Sequence, residues 1–503
     1  MGREELIIQE RLKKLHSLRT AGIDPYPQIF EVKDYSEDLK DTHKSLKNGA
    51  KSKKKVIIAG RVMSIRDFGK IAFGVIQDKK GTIQIALQSG ETPSETQDFF
   101  KKYIDSGDIV GIEGTIWRTE RGELSVLVKD LTLLTKSILP LPEKWHGLQD
   151  KEERYRKRYV DLMIDSNVKK VFLTREKIIN CIRSLLIEKE FVEVETPTLQ
   201  TLYGGASAAP FKTHLNALDI DLYLSISPEL YLKRLVVGGI DRVFTICKNF
   251  RNEGIDHQHN PEFTMLEYYA AYKDYEFHME FTEEMFNRIQ KELKLGDSIE
   301  YRGKKISLKT PFKRITFRDL ILKESGIDID VTNDFNKLKK AIAEKKIQGI
   351  NLSDCHHYGA LLDELYKRVA RPNIIQPTFL THYPVEMIAL AKRNKKDPTK
   401  INSVQLIIDG AEVCKAYDEL NDPLDQEARL KEQQGFLSGG DESAMPLDED
   451  FITALKYGMP PTAGYGLGID RITMILTGQE SLRDVILFPF MRPEKSDKKE
   501  VKK

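Results

Sequence analysis

The chain is poor in cysteine. Its four, Cys181, Cys247, Cys355 and Cys414, stand far apart in 503 residues, and no CxxC pair occurs. A disulfide framework or a paired-cysteine metal site is not expected, and reduced thiols in a cytosolic protein are the simple reading. No apolar run approaches 18 residues, so no transmembrane helix is expected. The first 22 residues mix both charge signs without a continuous apolar core, which is not the pattern of a signal peptide. Position 6 is Leu where a myristoylation site carries Ser or Thr. An excess of one charge is also missing: Lys+Arg 79 stand against Asp+Glu 77, a net charge of +2. A nucleic-acid partner would have to be held by local basic patches and not by a global field. Finally, the sequence has neither the GK[ST] of a phosphate-binding P-loop nor a GxGxxG fingerprint.

What is present is 40% hydrophobic content, enough at this length for two or three domains with real cores. Leu6, Leu12, Leu15 and Leu18 recur at near-helical spacing before Gly22 and Pro25, predicting an N-terminal helix. The polar stretch HKSLKNGAKSKKK (43–55) reads as a solvated, flexible connection closing an N-terminal region 1–55. Residues 56–137 then carry five short β-like runs with turn signals at Asp78–Gly81 and Arg121–Gly122, the pattern of a small OB-type barrel. In it Phe68, Phe73 and Trp117 either stack on bases or, for Phe73 and Trp117, fill the barrel interior; Arg61, Arg66, Lys70 and Arg118 could meet phosphates. A Pro-containing, charged segment (138–161) reads as a linker. Residues 162–493 read as one large unit of helices and strands, and the Lys-rich tail 494–503 as disordered.

Three segments of the large unit carry candidate chemistry. The first is a helix with the apolar stripe Ile178, Ile179, Ile182, Leu185 and Leu186, followed by FVEVETP (191–197). Pro197 cannot donate to a ladder, so that strand lies at an edge or ends there. A plain packing unit would explain these residues equally well. The second is RVFTICKNFRNE (242–253), the polar loop GIDHQHN and PEFTMLEYYAAY (261–272). Both arms alternate, and a hairpin would put Phe263, Met265, Glu267 and Tyr269 on one face beside Arg251 and Glu253. A solvated face with cross-strand ion pairs is the bland alternative. Yet apolar residues occupy the opposite face as well, and buried faces rarely carry unpaired Arg and Glu. The third is GYGLGIDR (464–471). Its glycines alternate, leaving one strand face bare so that a flat ligand can lie on the backbone, and Arg471 follows at a helix start. Taken alone, it would read as a Gly-rich strand packed on a helix.

Together and in this order, FVEVETP, NFRNEG…HNPEFTMLE and GLGIDR resemble the three motifs of class II aminoacyl-tRNA synthetases. GGASAAPF (204–211), SPELYLKRL (227–235), AEVCKAYDELNDPLDQEARL (411–430), GMPPTAGYGLGIDR and HGLQDKEERYRKRYVDL are similar to the lysyl branch of that class. The resemblance runs over 1–493. It implies an α+β fold, an antiparallel sheet flanked by helices behind an anticodon-binding OB barrel, and a homodimer formed through the first motif. It implies ATP, L-lysine and tRNA(Lys) as substrates, with Mg²⁺ as cofactor. It also implies residue roles. Arg251 would contact the ATP α-phosphate and the substrate carboxylate, and with Arg471 would be catalytic. Phe263 and Arg471 would enclose adenine and Glu253 would read its edge, with His259 and Asn260 in the ATP loop. Gly205 and Glu229 would receive the lysine α-ammonium. Glu267, Tyr269 and Glu419 would receive the ε-ammonium. Arg66, Phe73, Gln84 and Glu123 match anticodon-reading positions.

This chain departs from the family pattern at three positions. Ala209 stands where the family often has a basic residue. Gln405 stands at a metal-binding Glu and Lys415 at a carboxylate-binding Asn, while Glu412 remains as the matching metal ligand. Strand parity puts Glu412 and Glu419 on opposite faces, so a bulge or strand end between them is required if both serve one site. DCHH (354–357) reads as surface, since adjacent residues seldom converge on one ion. A paralogue that attaches a lysine-type amino acid to a protein would lack the barrel, and a retired RNA-binding relative would not need Arg251, Glu253, Phe263 and Arg471 together.

Overall fold

The computed structural model describes residues 2–142, 148, 150–352, 355, 357–441 and 444–494. The chain divides into two compact units, Met1–Leu148 and Gln149–Lys503.

In the first unit the helix Arg3–Thr20 forms as its leucine spacing predicts, but only Leu15 and Leu18 of its stripe are buried; Leu6 and Leu12 are exposed. A second helix, Ser36–Thr42, follows. Five strands close a barrel: β1 (Lys51–Asp67), β2 (Ile71–Gln77), β3 (Thr82–Gln88), β4 (Ile109–Arg118) and β5 (Leu124–Thr135), in the order β1-β2-β3-β5-β4. The expectation of a flexible connection over 43–55 is corrected here. Lys51–Lys55 begin β1 and pair with β4, Lys51 opposite Trp117 and Lys55 opposite Thr115. Backbone pairing overrides a polar composition because the lysine side chains point out to solvent, where Lys54 meets Asp34 at 3.5 Å. The turn at Asp78 forms as read: its amide donates to the Gly81 carbonyl at 2.9 Å. Along β2, Ala72, Gly74 and Ile76 face the core and Phe73 lies half-buried on the outside. Trp117 is likewise outside the core, so neither aromatic is barrel filling. Register puts Arg66 opposite Phe73, Val75 opposite Gln84, and Gln84 opposite Ser125. Arg66, Phe73 and Gln84 thus share one outer face, with Glu123 exposed at its rim.

In the second unit the charged stretch after Asp150 is not an extended linker. It forms two short helices, Lys151–Arg156 and Arg158–Ile164, in which Arg158 is buried against Asp161 at 2.8 Å. Pairing offsets part of the cost of burying that guanidinium. The strands that follow are β6 (Val192–Glu193), a small sheet of β7 (Leu199–Gln200), β8 (Lys212–Leu215) and β9 (Ile220–Leu224), and then the hairpin β10 (Arg242–Phe250) and β11 (Glu262–Ala271). Beyond a small hairpin of β12 (Ser298–Tyr301) and β13 (Lys304–Ser307) come β14 (Lys313–Thr316), β15 (Thr378–Thr381), β16 (Ser403–Ile408), β17 (Ala411–Asp418) and β18 (Thr462–Gly468). The main sheet has eight strands in the order β14-β15-β16-β17-β18-β11-β10-β6, parallel only at its two ends and antiparallel between. β6 is an edge strand, as Pro197 requires.

Both faces of the sheet are covered. On one, the helices Ser166–Glu188, Tyr275–Glu292 and Ile469–Leu476 bury Ile178, Ile182 and Met285 against Phe244, Leu266 and Tyr268. On the other, the helices Glu229–Val237, Phe317–Ser325 and Glu449–Lys456 bury Leu232, Phe317 and Phe451 near Val243 and Tyr269. Two cores on one sheet explain why the strands are rich in large apolar residues on both sides. The second face is left open above β11, β18 and β17, and the cleft lies there. Among the described residues no helix is long and apolar enough to cross a membrane. The tail from 495 on, and Asp354 and His356 of DCHH, lie outside the described residues. Of that motif's other members Cys355 is buried and His357 lines the cleft mouth stacked on Phe436 at 4.5 Å, which corrects the surface reading for these two.

Candidate active site

A cleft of about 510 Å³ opens on the sheet, and every residue expected at the ATP, metal and amino-acid positions lines it. The reason is local. β11 and β17 flank β18 with Glu267 opposite Gly466, Tyr269 opposite Gly464, and Lys415 and Tyr417 opposite the same two glycines. On this face β11 and β17 raise side chains while β18 raises none, so the glycines form the floor of a trough. At Gly464 the floor admits no substituent: a β-carbon there would stand 2.1 Å from Glu419 Oε1 and 2.4 Å from the Tyr269 ring.

The parity conflict between Glu412 and Glu419 is resolved as the sequence demanded. Leu406 pairs with Cys414 and Ile407 with Glu412, so Val413 is an extra residue in β17. This bulge shifts the phase and brings Glu412 to the trough alongside Lys415, Tyr417 and Glu419.

One end of the trough is acidic and buried. Glu267 accepts from Ser227 Oγ at 2.9 Å, and Glu229 accepts from Tyr417 Oη at 2.7 Å. Glu419 is 1% exposed; its Oε2 is paired with Lys233 and its Oε1 is aimed at the glycine floor. Burial, with Glu229 beside it, pushes the Glu267 carboxyl up to about 8. Burial also pushes Glu419 well above the usual carboxylate range. Gly205 closes this end with φ +82°, a left-handed conformation that suits glycine, and a β-carbon there would meet Glu229 Cβ at 2.8 Å.

The other end is cationic. The Arg251 guanidinium lies 5.1 Å from the Phe263 ring centroid. Arg471, at the start of its helix, donates from Nη1 to the Glu412 carbonyl at 2.9 Å. Lys415 is half-buried, and among the described residues it forms no ion pair. Gln405, opposite Lys415 in register, accepts a hydrogen bond from Tyr383 Oη. His259 and Asn260 lie on the loop between β10 and β11. His259 pairs with Asp256 at 2.9 Å, and Asn260 holds the Glu262 carbonyl. Glu253 stands exposed at the mouth.

Several side chains that build the site were not singled out from the sequence. Asp470 accepts from the Thr264 amide at 2.8 Å and pairs with Arg175 of the helix Ser166–Glu188, so it ties three elements to the end of the trough. Ser227, Tyr417 and Tyr383 orient Glu267, Glu229 and Gln405. Lys233 is fully buried between Glu229 and Glu419. Their polarity is visible in sequence, but Glu229 and Lys233 look there like an ordinary surface pair four residues apart.

An antiparallel sheet with a glycine-floored trough, arginines at one end and a Phe ring under one of them is the arrangement of a class II tRNA synthetase. Residues 150–492 match the family described as tRNA synthetases class II (D, K and N), and residues 56–134 match the OB-fold nucleic acid binding domain family. A protein of Pelotomaculum thermopropionicum named "Lysine--tRNA ligase" is 46% identical over 98% of this chain and 96% of its own length. One of the same name from Moorella thermoacetica is 45% identical over 98% of this chain and 99% of its own. A third, from Fervidobacterium nodosum, is 46% identical over 97% of this chain and 94% of its own. The chain belongs to the lysine–tRNA ligase family of the class II synthetases.

Proposed function

We propose that this chain activates L-lysine with ATP and transfers it to the 3′ end of tRNA(Lys), as a cytoplasmic homodimer. The observation that carries the choice of amino acid is the acidic end of the trough, where Glu229, Glu267 and Glu419 converge over a floor without side chains. A long cationic side chain needs a terminal acidic pocket, and an aspartate-specific site would need a cation there.

In the first step a lysine carboxylate oxygen attacks the α-phosphorus of ATP and the bond to the β-phosphate oxygen breaks, releasing pyrophosphate. The carboxylate is already ionised at pH 7, so no general base is needed. The work of the protein is alignment and charge dispersal. Arg251 meets the α-phosphate and the lysine carboxylate, and Lys415 meets that carboxylate beside it. Adenine lies between Phe263 and Arg471, with Glu253 at its edge and His259 and Asn260 toward the phosphates. Gly205 and Glu229 hold the α-ammonium; Glu267, Tyr269 and Glu419 hold the ε-ammonium. In the second step a 3′-terminal hydroxyl of tRNA attacks the adenylate carbonyl and AMP departs. The exposed apolar residues Ile187, at the end of the preceding helix, and Val192, on the edge strand of the first motif, support self-association there.

Mg²⁺ is the expected companion of ATP. Among the described residues no group of three or more His, Cys, Asp or Glu is arranged to hold an ion alone. Glu412 offers a carboxylate, and Gln405 only a neutral carbonyl that already accepts from Tyr383. That donor set fits an ion brought in on the phosphates and steadied by Glu412, where it would neutralise phosphate charge. Gln405→Glu should therefore lower the Mg²⁺ concentration for half-maximal exchange. An unchanged midpoint removes Gln405 from the ligand set.

Amino-acid-dependent ATP–pyrophosphate exchange with each of the twenty amino acids tests the assignment. Lysine alone should support strong exchange; activation of aspartate to the same level, or none of lysine, overturns it. On the barrel, Phe73→Ala or Glu123→Ala should impair tRNA charging and leave exchange nearly unchanged, since stacking of one base is worth roughly 1–3 kcal/mol. If both reactions fall together, the barrel is a folding element and not an anticodon reader.

A further inference from the structure

Three carboxylates, Glu229, Glu267 and Glu419, share one buried end of the trough. Three like charges in so small a space repel strongly once water is excluded. The structure supplies one fixed counter-charge. Lys233 lies one turn after Glu229 on the helix Glu229–Val237, and its Nζ is 2.6 Å from Glu229 Oε1 and ion-paired with Glu419. Its side chain is 0% exposed, so it is not itself a surface of the cleft. Tyr417 completes the arrangement by donating to the same Glu229 oxygen. When all are ionised, three carboxylates and one ammonium leave a charge of −2, which equals the charge of two ammonium groups. L-lysine presents two, on Cα and on its side chain.

We propose that Lys233 is a specificity-determining positioning residue: it bridges Glu229 and Glu419, holding one carboxylate for each ammonium of the substrate and setting the pocket charge to match two. This rests on the lysine reading above. An amino acid with an uncharged side chain leaves one buried carboxylate uncompensated. Removing Lys233 leaves an excess negative charge that protons must neutralise, and it frees the two carboxylates from their bridge.

The experiment compares the native chain with Lys233→Met, which nearly conserves volume, and Lys233→Arg, which keeps the charge. Lysine KM, ATP KM and the pH dependence of lysine KM are read in pyrophosphate exchange, with circular dichroism checking the fold. In Lys233→Met, lysine KM should rise about 10–100-fold, as for loss of a charge-assisted contact, while ATP KM stays within about twofold. Losing the ammonium favours protonated carboxyls at Glu419 and Glu267, both of which Lys233 holds down. The pH above which lysine KM levels off should therefore move upward. Lys233→Arg should restore most of the lysine KM and the native pH profile. Lys233→Gln, neutral but still a donor, carries the same expectation if the Met variant does not fold. A lysine KM within twofold of native overturns the inference, as does an equal rise in both KM values with an unmoved pH profile. Failure of the native chain to activate lysine would instead overturn the assignment of function.

Discussion

Gly464→Ala should nearly abolish lysine activation while leaving ATP binding close to native. The backbone at Gly464 is not left-handed, so alanine is permitted there by conformation. The obstacle is space: its β-carbon would stand 2.1 Å from Glu419 Oε1 and 2.4 Å from Tyr269 Cε1. Glu419 cannot swing aside cheaply, because it is fully buried and tied to Lys233. Tyr269 is equally confined within the second core. Overpacking costs about 1–3 kcal/mol and the displaced charge-assisted contact about 1.5–3 kcal/mol. The sum, about 2.5–6 kcal/mol, corresponds to a loss of roughly 10²–10⁴-fold in kcat/KM for lysine. Gly466→Ala is the control. Its nearest obstacle is Met265 Cε at 3.2 Å, the end of a flexible side chain, so its loss should stay under roughly tenfold. Steady-state exchange against lysine and ATP separately reads both. Equal losses at the two glycines would mean that the trough floor is not where lysine lies.

Lysine binding should strengthen as pH rises toward 8. In the empty cleft burial pushes the Glu267 carboxyl up to about 8, with Glu229 adding to the shift while Ser227, Arg251 and Lys233 oppose it. Tyr269, on the same strand, and Cys247, on β10, also face it, and burial pushes both of them upward as well, so both stay neutral. At pH 7 the empty site therefore holds a proton on Glu267, which must leave before that carboxylate can receive an ammonium. Below pH 8 one proton must leave for each lysine bound, so affinity falls about tenfold per unit of acidification. Lysine KM should drop about tenfold from pH 6 to 7 and flatten above 8. Calorimetry in buffers of different ionisation enthalpy should show about one proton released per lysine at pH 7, and more to the extent that Glu419 titrates with it. Glu267→Gln should raise lysine KM about 10–100-fold and flatten its pH dependence, since the amide has no proton to give up. A native KM independent of pH between 6 and 8 would place lysine's ammonium away from Glu267.

Much of the site was legible along the chain because its parts are periodic. Alternation alone put Met265, Glu267 and Tyr269 on one face of β11, and the alternating glycines marked β18 as a bare strand. The parity conflict between Glu412 and Glu419 called for a bulge or strand end between them, and β17 contains a bulge at Val413. These follow from the twofold period of a strand, a local property. Which strands lie side by side is not local. Only the fold sets β18 between β11 and β17, so that a bare strand becomes a floor between two rows of side chains. Burial is decided at the same level. Lys51–Lys55 looked like a solvated connection until pairing with β4 made them strand, and Phe73 and Trp117 became outer residues only once the barrel closed. Glu229 and Lys233 read as a common surface pair, because i,i+4 spacing records which residues touch and not what covers them. The helix Glu229–Val237 packs against the sheet and brings Glu419, nearly two hundred positions further along, onto the same ammonium. That step turns a surface-type pair into a buried charge cluster, and it depends on contacts that no local pattern encodes.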